Sequence, residues 1–331
     1  MTDSLRPFLS VVIPTYNRAR ILRDTLESLT QLDSPDRPWE VVVVDNNSTD
    51  NTPAVVSEFE ARLPVRRVFE GKQGVAAAMN RGFDEAQGQV VMIIGDDISP
   101  SPGWFKEFTR EIDAHPEVMI FGGPYFEKIV GQVPDYTEAV VTGTCYFGGG
   151  APRPDTGPYP QGELPAGANV AFRRPLFENP DYRFDEGFGP TGKGRVSGGD
   201  RVLFERAVRN NIPMLYISPA VVYHRWYPPQ FGLKRLCRRA YGIGRGEARL
   251  RPPAVPRILG VPRYMMSTSV ICAWGILVGL VRGDPVKWRR SLLILMRYLG
   301  GMKEAFHYWR GRTPPAPPQA PGDAGTSGGA V

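Results

Sequence analysis

The run Gln89-Val-Val-Met-Ile-Ile-Gly-Asp96-Asp97 places two adjacent carboxylates just after an uninterrupted apolar segment. Residues Val90 to Ile94 predict a strand that is buried on both faces, as the strands of a parallel sheet are. Ligands of open α/β sheets bind at the carboxyl ends of the strands, so chemistry is expected at Asp96 and Asp97. Because adjacent carboxylates repel each other, a hard divalent cation that also holds phosphate oxygens would stabilise the pair. The alternative is that both are solvated turn residues.

The residues before this run predict three similar units, each a strand followed by a helix. The strands are expected over Phe8–Ile13, Val41–Val44 and Val65–Phe69. Such short alternation predicts an α/β fold with a right-handed, parallel sheet. No Gly-x-Gly-x-x-Gly motif follows the first strand and no Walker lysine loop is present, which argues against a dinucleotide-binding domain and a P-loop domain.

The residues after Asp97 predict a less regular series of elements. In order, we expect a helix over 102–115, a strand over Val118–Phe121, a long Gly- and Pro-rich surface excursion over 122–162, a strand over Gly167–Phe172, a helix that begins at Asp200, and a strand over Met214–Val222, interrupted by Pro219, that ends at Tyr223-His224. Polar residues therefore follow several strands, and the site is predicted to be assembled from several loops.

Size and composition describe a folded protein with an uneven charge distribution. The chain has 331 residues, 42% of them hydrophobic, and carries a formal net charge of +6. Its three cysteines are widely spaced and match no metal or disulfide framework, which favours a reducing compartment. The first residues lead directly into a strand without the apolar segment of a signal peptide.

Seven short pieces, in this order, resemble the inverting family 2 nucleotide-sugar glycosyltransferases of the GT-A fold. They are Val12-Ile-Pro-Thr-Tyr-Asn17-Arg18, Val44-Asp45-Asn-Asn-Ser-Thr-Asp50, Gly74 with Asn80-Arg-Gly82, Gly95-Asp96-Asp97, Gly167-Ala-Asn169, Gly199-Asp200 and Tyr223-His224. The resemblance covers roughly residues 8–230. It implies a Rossmann-like GT-A domain, followed here by a helical C-terminal extension.

The resemblance implies a nucleotide-sugar donor, with UDP as the favoured nucleotide. The residues expected at the donor are Pro14, Thr15, Tyr16, Asn17, Arg18, Asp45, Gly74, Asn80 and Asp96. Asp45 would accept hydrogen bonds from the base or ribose, or would instead stabilise its own turn. The backbone at Gly74 would approach the nucleotide closely because glycine has no Cβ atom. Asn80 is alternatively a structural residue that holds a loop.

A diphosphate that leaves an anomeric carbon needs its charge neutralised, and a divalent metal supplies this. The resemblance gives Asp97 the role of a direct ligand of Mn²⁺ or Mg²⁺. His224 would be a further ligand or a pyrophosphate contact. Its alternative is an ordinary half-buried histidine at the end of a strand.

Inversion at the anomeric carbon requires a base that deprotonates the acceptor hydroxyl. Asp200 is the candidate because a helix N-terminus favours an ionised carboxylate, although the same position suits an ordinary N-cap. Many family members have Glu-Asp here, whereas this chain has Gly199-Asp200, so one acid on the acceptor side is missing. Asn169 and Gly199 are expected to line the pocket for a glycan, lipid-linked or protein-linked acceptor. Asp45, Asp97 and Asp200 are expected to converge on one cleft.

The positive charge belongs to the C-terminal part of the chain. We predict a catalytic domain over 1–230, a basic helical extension over 231–312 and a disordered tail over 313–331. The extension holds 17 Lys and Arg against 3 Asp and Glu, whereas residues 1–230 hold 23 against 30. This asymmetry indicates an anionic partner surface.

Two segments of the extension predict membrane association. Residues 264–281 carry no charged side chain but are at the short limit for a bilayer span. The next helix carries an apolar stripe typical of interfacial helices, formed by Trp288, Leu292, Leu295, Leu299, Met302, Phe306 and Trp309. We expect a cytoplasmic protein attached peripherally to the anionic inner face of the cell membrane. A single span over 264–281, or helices that pack as ordinary core, are the alternatives.

Sugar-nucleotide synthesis and nucleic-acid binding are two alternatives to sugar transfer. A sugar-phosphate nucleotidyltransferase also reads nucleotides over a sheet edge, but it usually has a basic, glycine-rich phosphate loop near its N-terminus, and Pro14-Thr15-Tyr16-Asn17 is not one. A nucleic-acid binder would use the basic extension. The acidic first 230 residues and the lack of a binding motif argue against it, so no nucleic-acid partner is expected.

Overall fold

The computed structural model describes residues 7–145, 152–191, 194–250 and 257–311. The tail predicted over 313–331 lies outside these residues. The first seven elements alternate as the sequence predicts, and each strand boundary lies within two residues of its predicted position. They are β1 (Leu9–Thr15), α1 (Ala19–Thr30), β2 (Trp39–Asp45), α2 (Thr52–Phe59), β3 (Val65–Phe69), α3 (Val75–Glu85) and β4 (Val90–Ile93).

The described residues form a central sheet of eight strands, and its apolar residues are divided between two cores. Val11 and Val43 face the layer that contains α1 and α2, whereas Val12 and Val42 face α3. All four are fully buried, as expected for a strand covered on both faces. Helix α3 lies close to the sheet because Gly82 has no Cβ atom, which would lie 2.3 Å from Val12 Cγ1.

The second part of the catalytic domain contains shorter elements. They are β5 (Ile98–Pro100), α4 (Trp104–Ala114), β6 (Ile120–Gly122), β7 (Tyr125–Ile129), α5 (Thr137–Val141), β8 (Gly157–Pro158), β9 (Val170–Arg173), α6 (Arg174–Glu178), β10 (Gly189–Thr191), β11 (Gly194–Val196), α7 (Gly199–Arg209), β12 (Met214–Tyr216) and β13 (Val222–Trp226). Single turns of 3₁₀ helix lie at Pro180–Tyr182 and Pro228–Phe231.

The sheet is mixed, not parallel as predicted. Its strand order is β3-β2-β1-β4-β9-β6-β12-β8, and β9 runs antiparallel to both β4 and β6. The chain reaches β9 after a long connection from β6 that contains β7, the five-residue helix α5 and β8. Strand β8 is also antiparallel to its neighbour β12.

The predicted surface excursion over 122–162 is wrong for part of its length. It contains β7 and α5, and the side chains of Val140 and Val141 are buried. Each of these elements has only five residues, too few for a hydrophobic period to be visible in the sequence.

The single strand predicted over Met214–Val222 is two strands in two different sheets. The chain leaves the central sheet after β12, and β13 lies between β5 and β7 in a separate three-stranded sheet. His224 is therefore inside β13, opposite Ile98 and Glu127, and not beyond the end of a strand.

The extension begins with α8 (Leu233–Leu250), passes through the short hairpin β14 (Arg257–Ile258) and β15 (Val261–Pro262), and ends with α9 (Arg263–Val281) and α10 (Pro285–Trp309). The buried face of α10 differs from the predicted apolar stripe and consists of Leu293, Gly300, Gly301, Glu304 and Ala305. Small residues decide this face because they allow the backbones of α8 and α10 to approach closely. A Cβ atom on Gly300 would lie 2.1 Å from Tyr241 O.

Helix α9 packs on α10 and leaves most of its own surface exposed. Only 17% of its most apolar 18-residue window is buried. Among the described residues, it is the one helix that is long and apolar enough to cross a membrane.

Candidate active site

The two adjacent carboxylates lie at the end of β4, where Arg18 bridges them. Arg18 Nη1 donates to Asp96 Oδ1 at 2.5 Å, and Arg18 Nη2 donates to Asp97 Oδ2 at 2.8 Å. Thr15 Oγ1 donates a further hydrogen bond to Asp96 Oδ2 at 2.7 Å. Both carboxylates are nearly buried, so the guanidinium offsets most of their repulsion. The alternative that both are solvated turn residues is therefore wrong, because both side chains are buried.

His224 lies on the other side of Asp97. Its Nε2 atom is 3.5 Å from Asp97 Oδ2, and its Nδ1 atom is 3.0 Å from Glu127 Oε2. Glu127 also accepts a hydrogen bond from the indole of Trp226, while its Oε1 atom is buried without a hydrogen-bond partner among the described residues. Glu127 lies on β7, in the segment that the sequence did not resolve into elements, and is therefore a site residue that sequence reasoning missed.

Burial and charge act in opposite directions at this cluster. Burial alone would lower the pKa of His224, but the carboxylates of Asp97 and Glu127 outweigh it and raise that pKa to about 9. Burial would raise the pKa of Asp97, but His224 and Arg18 hold it far below its usual range. Burial and the charge of Asp97 raise the pKa of Asp96 to about 6, although Arg18 opposes the shift.

Asp200 lies in the first turn of α7, after Gly198 in the left-handed conformation (φ 104°). Its Oδ1 atom accepts a hydrogen bond from the backbone N–H of Arg201 at 3.0 Å. Its carboxylate also packs against Gly167, where an added Cβ atom would lie 2.8 Å from Asp200 Oδ2. The predicted helix start is thus present, one residue earlier than expected.

A single cavity of about 1290 Å³ joins these groups. Arg18, Asp97, His224, Gly199 and Asp200 all line it. The opposite wall is built by the extension, through residues of α8, α9 and α10. Two of the three acids expected to converge, Asp97 and Asp200, therefore share one cavity.

Asp45, the third acid, does not line this cavity. It is 1% exposed, and it accepts hydrogen bonds from Arg67 Nη1 at 2.9 Å and from the backbone N–H of Ser48 at 2.9 Å. The hydrogen bond from Ser48 stabilises the turn after β2, which is the alternative role considered for Asp45. Asn17, at a positive φ of 49°, accepts a hydrogen bond from Thr49 N, so the loops after β1 and β2 are joined.

The other predicted donor residues lie at this same edge of the sheet. Pro14 is buried at the end of β1, and Tyr16 is 43% exposed. Gly74 precedes α3 at a φ of 150°, and its N–H donates to Asn46 Oδ1 at 2.7 Å. Asn46 is a second residue that sequence reasoning did not single out.

Two predicted asparagines hold loops. Asn80 donates to Phe184 O at 3.0 Å and accepts from Phe184 N at 2.9 Å, which is the structural alternative considered for it. Asn169 is fully buried, donates to Pro124 O and Ala220 O, and accepts from the indole N–H of Trp104. Both amide hydrogens and the amide oxygen of Asn169 are thus engaged, and Asn169 is not among the residues that line the cavity.

Residues 10–179, just over half of the chain, match the profile of Glycosyl transferase family 2. The chain belongs to glycosyl transferase family 2. The family 2 transferase is therefore an enzyme, and membership does not favour the nucleotidyltransferase alternative.

Two relatives of this family 2 transferase differ in the share of their own length that aligns with it. It is 27% identical over 250 residues to the glycosyltransferase AglE of Haloferax volcanii, with 75% of each chain covered. It is 34% identical over 116 residues to a chondroitin synthase of Escherichia coli, which covers 34% of this chain and 17% of the synthase. The second match concerns only a small part of a much longer protein.

Solved structures confirm the predicted GT-A fold with a helical C-terminal extension. The mannosyltransferase PcManGT from Pyrobaculum calidifontis, in complex with GDP-Man and Mn²⁺, has a TM-score of 0.54 at 19% identity, covering 90% of this chain and 88% of the other. Residues 1–349 of Staphylococcus aureus TarS, in complex with UDP-GlcNAc, have a TM-score of 0.51 at 17% identity, covering 89% and 92%. At these identities the likeness concerns the fold alone.

Asp97 has a carboxylate oxygen that could bind a divalent metal, and His224 has an imidazole nitrogen that could do so once the metal displaces its proton. Mn²⁺ accepts both kinds of ligand. No group of three or more His, Cys, Asp and Glu side chains among the described residues could hold a metal ion. Ions such as Mg²⁺ are often bound through one or two protein ligands together with substrate phosphates, so the pair fits a metal that binds with the donor.

Proposed function

We propose that this family 2 transferase moves a sugar from a nucleoside-diphosphate donor to an acceptor hydroxyl, with inversion at the anomeric carbon. The observation that carries the proposal is that Asp97, His224 and Asp200 line one cavity. The cavity thus holds Asp97 and His224, which suit the charge of a leaving diphosphate, and the separate carboxylate of Asp200, which suits removal of a proton. Neighbours in fold that bind UDP, UDP-GlcNAc or GDP-Man support a nucleotide-sugar donor.

In this reaction the acceptor oxygen attacks the anomeric carbon while the bond from that carbon to the diphosphate breaks. Asp200 accepts the acceptor's hydroxyl proton, and the nucleoside diphosphate leaves. Asp97 and His224 would hold Mn²⁺ or Mg²⁺, which neutralises charge on the leaving group when bound. Arg18, which bridges Asp96 and Asp97, adds a fixed positive charge on the same side. Gly199, beside Asp200, leaves room for the acceptor.

The nucleoside is proposed to bind at the edge formed by the loops after β1 and β2. Thr15 is the last residue of β1 and Tyr16 and Asn17 begin the loop that follows it, whereas Asp45 is the last residue of β2. The hydrogen bond from Thr15 to Asp96 links this edge to the carboxylates at the cavity. Uridine is the proposed nucleoside, and the binding of UDP and UDP-GlcNAc by TarS supports it.

We further propose peripheral attachment to the anionic cytoplasmic face of a membrane, and not a span. Helix α9 packs tightly along α10, since Cβ atoms on Gly275 and Gly279 would lie within 2.6 Å of Ser291 and Trp288 atoms. A spanning α9 would carry the charged residues of α10 into hydrocarbon, which is expensive. An interfacial position keeps those charges in water and at anionic head groups.

The experiment that tests the proposed reaction compares two variants of the full chain. Nucleoside diphosphate release is measured over a panel of UDP- and GDP-sugars, and donor binding is measured by calorimetry with Mn²⁺ or a chelator. Asp97→Ala should abolish metal-dependent turnover, and Asp200→Asn should lower turnover at least 100-fold while donor affinity stays within twofold.

The matched control is Asp113→Asn, an exposed carboxylate that pairs with Arg37 away from the cavity. This variant should keep wild-type turnover. Retained transfer in Asp200→Asn would remove that residue as the base. If a chelator leaves nucleotide binding unchanged, the proposed role of the metal in donor binding is wrong.

A further inference from the structure

The three-stranded sheet carries Asp97, His224 and Glu127 side by side. Its strand order is β5-β13-β7. Asp97 directly precedes β5, His224 lies on the central strand β13, and Glu127 is paired with His224 from the outer strand β7. The backbone N–H of Arg225 donates to Asp97 O at 2.8 Å, which ties Asp97 to the central strand as well. Because a sheet holds neighbouring strands in a fixed register, the fold itself sets the positions of these three residues.

The two ring nitrogens of His224 face different carboxylates. Nδ1 lies 3.0 Å from Glu127 Oε2, which is the distance of a hydrogen bond. Nε2 lies 3.5 Å from Asp97 Oδ2, which is longer than most hydrogen bonds. Metal–ligand bonds are about 2.1 Å long, so Nε2 and Asp97 Oδ2 are close enough to bind one ion. Nε2 is thus the nitrogen on the side of the proposed metal, and Glu127 lies at the other nitrogen.

Glu127 is itself fixed by its neighbours. The indole N–H of Trp226 donates to the same carboxylate oxygen, Oε2, and Trp226 is fully buried. The Trp226 ring also lies beside the His224 ring, with 5.3 Å between their centres. The second oxygen of Glu127, Oε1, is buried and has no hydrogen-bond partner among the described residues. A buried carboxylate oxygen without a partner costs free energy of folding, so stability alone does not account for this residue.

We propose that Glu127 is a positioning residue that holds the imidazole of His224 for a divalent metal bound beside Asp97. Glu127 accepts the Nδ1–H of His224, so Nδ1 keeps its proton and Nε2 is the nitrogen that binds the metal. A histidine that binds a metal commonly donates its other N–H to a carboxylate, which fixes the orientation of the ring and increases its basicity. The inference rests on the proposed function, which supplies the metal that binds with the donor diphosphate.

The test measures the Mn²⁺ affinity of the full chain by electron paramagnetic resonance in the presence of UDP. Glu127→Ala and His224→Gln should each weaken Mn²⁺ binding at least about tenfold, since a partner of this kind typically contributes that much to metal affinity. In a chain that already carries His224→Gln, Glu127→Ala should weaken Mn²⁺ binding less than about threefold, because Glu127 acts through His224. A loss of equal size in both backgrounds would overturn the proposal, since Glu127 would then act independently of His224.

Glu127→Gln separates the orientation of the ring from the charge of the carboxylate. The glutamine keeps an oxygen that accepts the Nδ1–H of His224, but it carries no negative charge. It should therefore weaken Mn²⁺ binding less than Glu127→Ala does. A loss as large as that of the alanine variant would assign the effect to charge and would contradict a positioning role.

Pulsed electron paramagnetic resonance gives a second measurement, which stays informative if the alanine variant does not fold. A directly bound imidazole nitrogen couples to the electron spin of Mn²⁺. This coupling should be present in the wild type and in Glu127→Gln, and it should be absent in His224→Gln. Bound Mn²⁺ without this coupling in the wild type or in Glu127→Gln would overturn the proposal.

Glu117→Ala serves as the control because it removes the carboxylate of another glutamate–histidine pair. Glu117 Oε1 lies 3.4 Å from His115 Nδ1, but Glu117 is exposed and neither residue lines the cavity. The variant should keep the Mn²⁺ affinity and the nitrogen coupling of the wild type. A loss of affinity equal to that of Glu127→Ala would show that the effect does not belong to the pair at the cavity.

These outcomes are separable from failure of the proposed function. That function fails if the wild-type chain neither binds UDP or GDP nor releases them from any nucleotide sugar. UDP binding without any Mn²⁺ binding would remove the metal, and this role of Glu127 with it. The positioning role alone fails if the wild type binds both UDP and Mn²⁺ while the variants give one of the contrary results.

Discussion

Arg18 resolves the electrostatic problem posed by the adjacent residues Asp96 and Asp97. Its planar guanidinium reaches one oxygen of each carboxylate, which a lysine ammonium, as a single point charge, would not do in the same fixed geometry. His224 contributes a second cation from the other side of Asp97. Asp97 therefore lies between two positive groups, and its ionised form is favoured at every physiological pH.

His224 gives a prediction for the pH dependence of stability in the presence of a chelator. Because the pKa of His224 is raised to about 9 in the folded protein, against about 6.5 in an unfolded chain, folding favours its protonated form. This contribution is complete below pH 6.5 and is lost as the pH rises through 9. It amounts to about 3 kcal/mol of the free energy of unfolding.

The measurement is urea unfolding between pH 6 and 9.5 for the wild type and His224→Gln. The wild-type free energy of unfolding should fall over this window relative to that of the variant. Parallel curves would show that His224 is not held as a cation by Asp97 and Glu127.

At the scale of elements, glycines decide how the extension is attached. A Cβ atom on Gly244 of α8 would lie 1.7 Å from the backbone oxygen of Arg297 on α10. The close approach that glycine permits brings Arg297 against Glu247 and Arg245 against Glu304, so ion pairs accompany the backbone contact. Two helices that each carry many basic residues thus pack together.

Gly244→Ala should destabilise the protein although alanine favours a helix by about 1 kcal/mol over glycine. The overlap with a backbone atom has no flexible side chain to relieve it, and overpacking of this kind typically costs about 1–3 kcal/mol. Thermal unfolding of the variant should begin at a lower temperature than that of the wild type. Gly103→Ala is the control, since its Cβ atom would meet nothing within 4 Å, and an equal effect of both substitutions would contradict the prediction.

In the whole molecule, the extension has one face at the cavity and another that is exposed to solvent. One face closes the cavity opposite Asp97 and Asp200, and the other exposes the apolar residues of α9. An exposed apolar area of this kind marks an interaction surface in a folded protein. The excess of Lys and Arg in the same region favours the anionic membrane surface proposed above as the partner.

The combined substitution Ile271→Glu with Trp274→Glu should release the protein from anionic vesicles. Both side chains are about two-thirds exposed, so the change should not disturb folding. Sedimentation with vesicles of phosphatidylglycerol and phosphatidylcholine should show a partition coefficient at least tenfold lower than that of the wild type. Val208→Glu, an exposed apolar position on α7, should sediment as the wild type does. Undiminished binding of the double variant would contradict the attachment proposed for α9.

The family could be predicted from seven short motifs, and the alternation of the first seven elements could be predicted because their apolar runs are long enough to show a period. It also brought Asp97, His224 and Asp200 into one hypothesis, and the structure places all three around one cavity. The roles assigned to them stay predictions.

Tertiary structure alone decided the remaining features. The antiparallel course of β9, the inclusion of Glu127 beside His224, and the burial of Asn169 depend on which strands and loops meet across long chain separations. The buried face of α10 depends on the glycines of α8. Local periodicity records which side of an element is apolar, but a contact between distant elements depends on the shape and charge of both partners, which one segment does not contain.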